Sequence, residues 1–146
     1  MSFALLPSPA TMSFSHAARY SPAAPRWPLA EVELAAVGPG GLLAGSPITT
    51  VVLVDSGADI TMLDEALASA LGIDLAPIPA EMVGGVGGRT TARRHDVMID
   101  MCGRWISAPV LFSAGQRPQL LGRAGVFDRI DITFVHRLNV MLGAAA

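Results

Sequence analysis

The chain has 146 residues, 51% of them apolar and 15% charged, with a formal net charge of -2. That is enough apolar chain for one modest core, and too little charge asymmetry to argue for nucleic acid or an anionic membrane surface. All ten basic residues are arginine, which excludes a Walker-type phosphate loop and a Schiff-base nucleophile, both of which need lysine.

Cys102 is the only cysteine, so no intrachain disulfide can form, and a small buried hydrophobe is its expected role. His16, His95 and His136 are scattered and show no metal-ligand spacing. No apolar run approaches the roughly 18–20 residues of a membrane-spanning helix. The N-terminus lacks the basic-then-apolar pattern of a secretory signal, so a cytoplasmic location is the default expectation.

Residues 1–26, rich in Ser, Ala and Pro, read as a flexible leader preceding a single domain over 27–146. Val32, Leu34 and Val37 suit a strand, although Leu29, Glu31 and Glu33 alternate poorly. Gly38-Pro-Gly-Gly41 is a turn, and Ile48 to Val54 forms the second arm of a hairpin. Ile60 to Leu63 is a short strand, and Asp64 to Leu71 a helix with acidic residues in its first turn and Gly72 as its stop. Glu81 to Arg89 predicts a hairpin with a glycine tip, continuing into a strand through Thr90 to Met101, with Arg93 and Arg94 as a solvated pair. Trp105 to Phe112 is another strand, in which Pro109 suggests an edge or a bulge. Leu120-Leu121 reads as a short buried strand, Arg123 to Arg129 as a brief helix, and Ile130 to Leu142 as one or two closing strands. Many short strands, glycine-rich turns and no alternating strand–helix rhythm predict an all-β fold.

Within that frame, one residue is out of place. Val51 to Val54 is fully apolar and ends on Asp55, with Ser56 and Gly57 directly after it. A carboxylate at the end of a buried strand is costly unless it is hydrogen-bonded or used. An isolated Asp-Ser-Gly is most simply an ordinary turn. Here it is followed in order by Gly84-Gly-Val-Gly-Gly88 and by Leu120-Leu-Gly122.

Taken together, these motifs resemble the retroviral-type (retropepsin-like) aspartic proteases. Asp55-Ser-Gly-Ala-Asp59 is similar to that family's signature, Glu81 to Arg89 to its flap, and Leu120-Leu-Gly-Arg123 to its apolar-apolar-Gly-Arg segment. The resemblance covers about residues 27 to 142. It implies a closed β-barrel with a flap hairpin and one or two short helices. It also implies that Asp55 is catalytic, that Ser56 and Gly57 support the active-site loop, and that Ala58, Asp59, Gly84, Gly85, Val86 and Gly87 meet substrate. Leu121, Gly122 and Arg123 would hold the site structurally, with Arg123 paired to Asp59.

Such proteases hydrolyse a peptide bond with two carboxyls. This chain has one Asp-Ser-Gly, since Asp100 and Asp131 lack the glycine, so the resemblance implies a homodimer with the site on its two-fold axis. No metal or organic cofactor is expected, and a peptide or protein is the expected substrate, with no nucleic acid or membrane partner. Val54, Ile60, Val83, Val86 and Leu121 near the motifs lead to an expectation of cleavage between hydrophobic residues.

Two departures stand out: Ala124 occupies a position where the viral proteins carry a polar amide, and about 26 residues precede the first expected strand. A leader there suggests a block on dimerisation relieved by its removal; full activity with an intact N-terminus would contradict that. The alternative from another class is a retropepsin-like module that binds peptide or dimerises without cutting. A haloacid-dehalogenase-type phosphatase would need a second Asp where Gly57 stands, and a calcium loop would need glycine where Ile60 stands.

Overall fold

The computed structural model describes residues 14–24, 26–85 and 87–145. Among these residues ten strands and one short α-helix follow in order: β1 (His16–Arg19), β2 (Leu29–Val37), β3 (Leu43–Val54), β4 (Thr61–Asp64), α1 (Glu65–Ala70), β5 (Ala80–Gly85), β6 (Gly88–Met101), β7 (Arg104–Ser113), β8 (Leu120–Leu121), β9 (Ile130–Val135) and β10 (Val140–Ala145). Strand makes up 56% of the described residues, so the all-β expectation holds.

Seven strands form one sheet in the order β2-β3-β8-β4-β7-β6-β5. β2 also pairs antiparallel with β6, through Leu34 with Ile99 and Ala36 with Val97. The pairings therefore run in a ring through β2, β3, β8, β4, β7 and β6, leaving β5 attached to β6 alone. The length of β6 makes this possible. Gly88–Arg93 pairs with β5, Arg93–Met101 with β7, and Val97–Ile99 also with β2.

Leu34, Val52, Leu63, Val97, Ile99, Ile106, Val110, Phe112 and Leu121 are buried together in one core cluster. Burying each such side chain is worth roughly 1.5–3 kcal/mol. In β2 the poor alternation read from the sequence turns out to be regular: Val32 and Leu34 face in while Glu31 and Glu33 face out. The two glutamates mark the solvated face of a half-buried strand.

β1, β10 and β9 make a second, three-stranded sheet. Within the expected leader of residues 1–26, His16–Arg19 form β1, pairing with Val140–Gly143, and Tyr20 is buried in the core. His-Ala-Ala-Arg has no β-branched residue to announce a strand, so its conformation is imposed by the edge of β10. Residues 1–13 lie outside the described residues.

Three local expectations need adjusting. The helix is one residue shorter at each end: Asp64 is its N-cap, its Oδ1 accepting from Ala66 N–H at 3.0 Å, and Gly72 ends it at φ 73°. Residues 123–129 form successive turns rather than a helix. Gly125 adopts φ 72°, and a Cβ there would lie 3.1 Å from Ala108, so the chain turns left-handed in order to pack against β7. Pro109 is not on an edge strand, because β7 lies between β6 and β4. Its missing N–H is tolerated because the β4 ladder begins one residue later, at Val110.

Candidate active site

The site is built where β3 runs out. Val52 and Val54 are buried, and Val54 pairs in parallel with Leu121. Asp55 N–H still donates to Leu121 carbonyl oxygen at 3.0 Å, after which the chain turns, Ala58 N–H donating to Asp55 carbonyl oxygen at 3.2 Å. Within the turn, Gly57 N–H donates to Asp55 Oδ1 at 2.9 Å. A Cβ on residue 57 would lie 3.1 Å from that oxygen, so glycine lets the backbone amide close onto the carboxylate. Asp55 is half-buried, while Ser56 and Gly57 are exposed. Among the described residues, neither Asp55 Oδ2 nor the Ser56 hydroxyl takes a hydrogen-bond partner.

The segment after β8 clamps this turn from outside. Arg123 N–H donates to Ala58 carbonyl oxygen and Ala124 N–H to Asp59 carbonyl oxygen, both at 2.9 Å. The Arg123 guanidinium pairs with the Asp59 carboxylate. Those two side chains are 55% and 82% exposed, so their attraction is worth only about 0–1 kcal/mol, and the backbone bonds carry the clamp. Gly122 is the tightest point. A Cβ there would sit 2.4 Å from Ile60 carbonyl carbon and 2.8 Å from Thr61 nitrogen. No side chain fits.

Two residues in this framework escape a motif-based reading. Thr61 is fully buried, and its Oγ1 accepts from Gly122 N–H at 3.0 Å. Gln119 is 8% exposed, and its amide reaches Thr50, Val51 and Asp64. Each had a signal. A hydroxyl inside the run Ile60-Thr-Met-Leu63, and an amide directly before Leu120 and the buried Leu121, must find partners inside the protein.

The glycine-tipped hairpin is formed by β5 and β6, with Gly84 opposite Arg89 and Gly85 opposite Gly88. Gly84, Gly85 and Gly87 are exposed, and a Cβ on any of them would meet nothing within 4 Å. Val86 lies outside the described residues. Among the described residues these glycines make no hydrogen bond to the Asp55 turn. Lower on the hairpin, Arg94 Nη2 lies 2.7 Å from Glu81 Oε1, and that hydrogen bond holds the guanidinium above its ordinary pKa. Arg93 is not simply solvated: half-buried, it donates from Nε to Ile78 carbonyl oxygen at 3.1 Å.

Burial also trims the expected apolar pocket. Val54 is 4% exposed and Leu121 not at all, so both belong to the core. Ile60 and Val83 remain half-exposed. Cys102 packs at Gly143, and burial, with the charge of Asp100, pushes its thiol above the ordinary value. That is the opposite of an activated nucleophile. Among the described residues no group of three or more His, Cys, Asp or Glu side chains is placed to hold a metal ion, and no helix is long and apolar enough to cross a membrane.

No curated protein matches the chain. The family described as aspartyl protease matches residues 41–101, a span holding the Asp55 turn, α1 and the glycine-tipped hairpin and stopping before Leu120. The Asp55 and hairpin motifs of the resemblance lie within this match, and residues 41–101 carry the sequence pattern of an aspartyl protease of the retropepsin-like clan.

Proposed function

We propose that the protein is an aspartic endopeptidase whose active site is completed in a homodimer by one Asp55 from each subunit. A water between the two carboxyls attacks the peptide carbonyl. One carboxylate takes the water's proton, while the other, as a carboxylic acid, donates a hydrogen bond to the carbonyl oxygen. Two carboxyls sharing one proton are the established arrangement of aspartic proteases generally, adopted for this chain by family.

The state of the Asp55 side chain carries the reading. Oδ1 is engaged by Gly57 N–H, Oδ2 is free among the described residues, and the turn holding both is clamped by residues 121–124. A lone carboxyl so placed has no acid partner among the described residues of its own subunit, and a second copy related by a two-fold axis would supply one. The unpartnered Ser56 hydroxyl suits a hydrogen bond across that axis. The ring of strand pairings supports a closed barrel, and the open hairpin of β5 and β6 supports a flap that closes over bound peptide and excludes water. Ile60 and Val83 favour hydrophobic residues beside the cut.

The test is cleavage of a mixed peptide library across about pH 4 to 7, with Asp55→Asn alongside. The expected result is cutting between hydrophobic residues by the wild type and none by the variant. Activity should fall on both the acid and the alkaline side, since one carboxyl must be ionised and its partner protonated. Undiminished cleavage by Asp55→Asn would overturn the mechanism, and cut sites flanked by charged residues would overturn the specificity.

A further inference from the structure

We propose that Gln119 is a positioning residue for the Asp55 carboxylate; the proposal rests on the catalytic reading of Asp55 given above. β8 sits between β3 and β4 and is only two residues long. On the β3 side it offers the register pairs Leu53 with Leu120 and Val54 with Leu121, and on the β4 side Met62 with Leu120 alone. So short a strand gives the two flanking segments little backbone to grip. Gln119, directly before it, supplies the missing ties from its side chain.

Gln119 Nε2 donates to Thr50 Oγ1 at 2.7 Å and to Val51 carbonyl oxygen at 3.1 Å, and Oε1 accepts from Asp64 N–H at 3.1 Å. Its own carbonyl oxygen accepts from Leu53 N–H at 2.8 Å. Both amide donors and the amide acceptor are thus used, and the residue is nine-tenths buried. Thr50 and Val51 precede Asp55 on β3, while Asp64 ends β4. One amide therefore holds both ends of the segment 50–64, within which the whole catalytic turn lies.

The Asp64 partners divide cleanly. Its carboxylate caps α1 through Oδ1 and meets Arg117 Nη1 through Oδ2 at 3.0 Å, leaving its N–H for Gln119. Slipping β3 against β8 by one residue would turn every side chain to the opposite face. The Gln119 bonds oppose such slippage and smaller tilts of the strand end. They bear on where the carboxylate stands, not on how tightly peptide is held.

The experiment compares wild type, Gln119→Leu, Thr50→Val and the double variant, measuring kcat and KM on one cleaved peptide and hydrogen exchange at individual amides. Gln119→Leu should lower kcat by about 10- to 100-fold with KM unchanged, the scale set by small misplacements of a reacting group. Thr50→Val, which removes one acceptor, should lower kcat by less, and the double variant should be no worse than Gln119→Leu alone. The Asp55 and Gly57 amides should exchange faster in Gln119→Leu, while those of Ile99 and Ile106 keep wild-type rates. Wild-type kcat and unchanged exchange at Asp55 and Gly57 would overturn the proposal, as would a rise in KM without a fall in kcat. If Gln119→Leu does not fold, Thr50→Val decides alone: a lowered kcat supports the positioning role and a wild-type kcat overturns it. Undiminished activity in Asp55→Asn would instead break the catalytic reading, and exchange at Asp55 and Gly57 would still show whether Gln119 holds the turn.

Discussion

Glycine does opposite work at Gly122 and in the hairpin of β5 and β6. At Gly122 the backbone of Ile60 passes so close that a Cβ would overlap it at 2.4 Å, whereas at Gly84, Gly85 and Gly87 nothing lies within 4 Å. The first glycine is there because two backbones touch. The others leave a hairpin without side chains where it meets solvent. The same residue type thus marks the most crowded backbone near Asp55 and the open end of a hairpin, and only the surroundings distinguish them.

The comparison breaks most visibly through Gly122→Ala. With no flexible side chain among the atoms it would meet, residues 60–61 must move, and the expected loss is about 3 kcal/mol or more, read as a fall in the urea midpoint. A loss under about 1 kcal/mol would mean that the Asp55 turn is looser than its contacts imply. Thr61→Val comes next. It leaves Gly122 N–H buried without an acceptor and should cost about 1–3 kcal/mol by the same measurement. Gly84→Ala should instead be neutral or stabilising by about 0.4–1 kcal/mol, since its φ is not left-handed and the unfolded chain loses freedom. If the hairpin is the flap, the same variant lowers kcat/KM despite its intact stability. A destabilisation as large as that of Gly122→Ala would erase the contrast. Smallest of all should be Asp59→Asn, whose exposed pairing with Arg123 predicts a change of about 0–1 kcal/mol that fades in high salt.

Legibility in the sequence follows the same division. Elements defined by local chemistry are readable: the apolar strand ending on Asp55, the body of the helix before Gly72, and the two-residue strand Leu120-Leu121. Elements defined by distant partners are not. β1 exists because β10 offers an edge, and the ring closes because Leu34 meets Ile99 across 65 positions of sequence (99 minus 34); nothing within His16–Arg19 or Val32–Leu34 announces either pairing. The residues around Gly125 favour a helix, but the approach of Ala108 decides a turn there. Around the Asp55 turn, Asp55, Asp59, Gly122 and Arg123 stand out in the sequence as motif residues. Thr61 and Gln119 act through bonds to residues 61 and up to 69 positions away, and their side chains gain meaning only once the strands are in place.

The central claim, that one site needs an Asp55 from each of two subunits, is tested most directly by subunit mixing. Wild-type protein is allowed to exchange with increasing amounts of Asp55→Asn at constant total concentration, and peptide cleavage is followed. If both carboxyls are required, only wild-type pairs cut, and an equal mixture retains about one quarter of the activity, the square of the wild-type fraction. Activity falling in direct proportion to that fraction, to about one half in the equal mixture, would show that each chain works alone and would contradict the shared site.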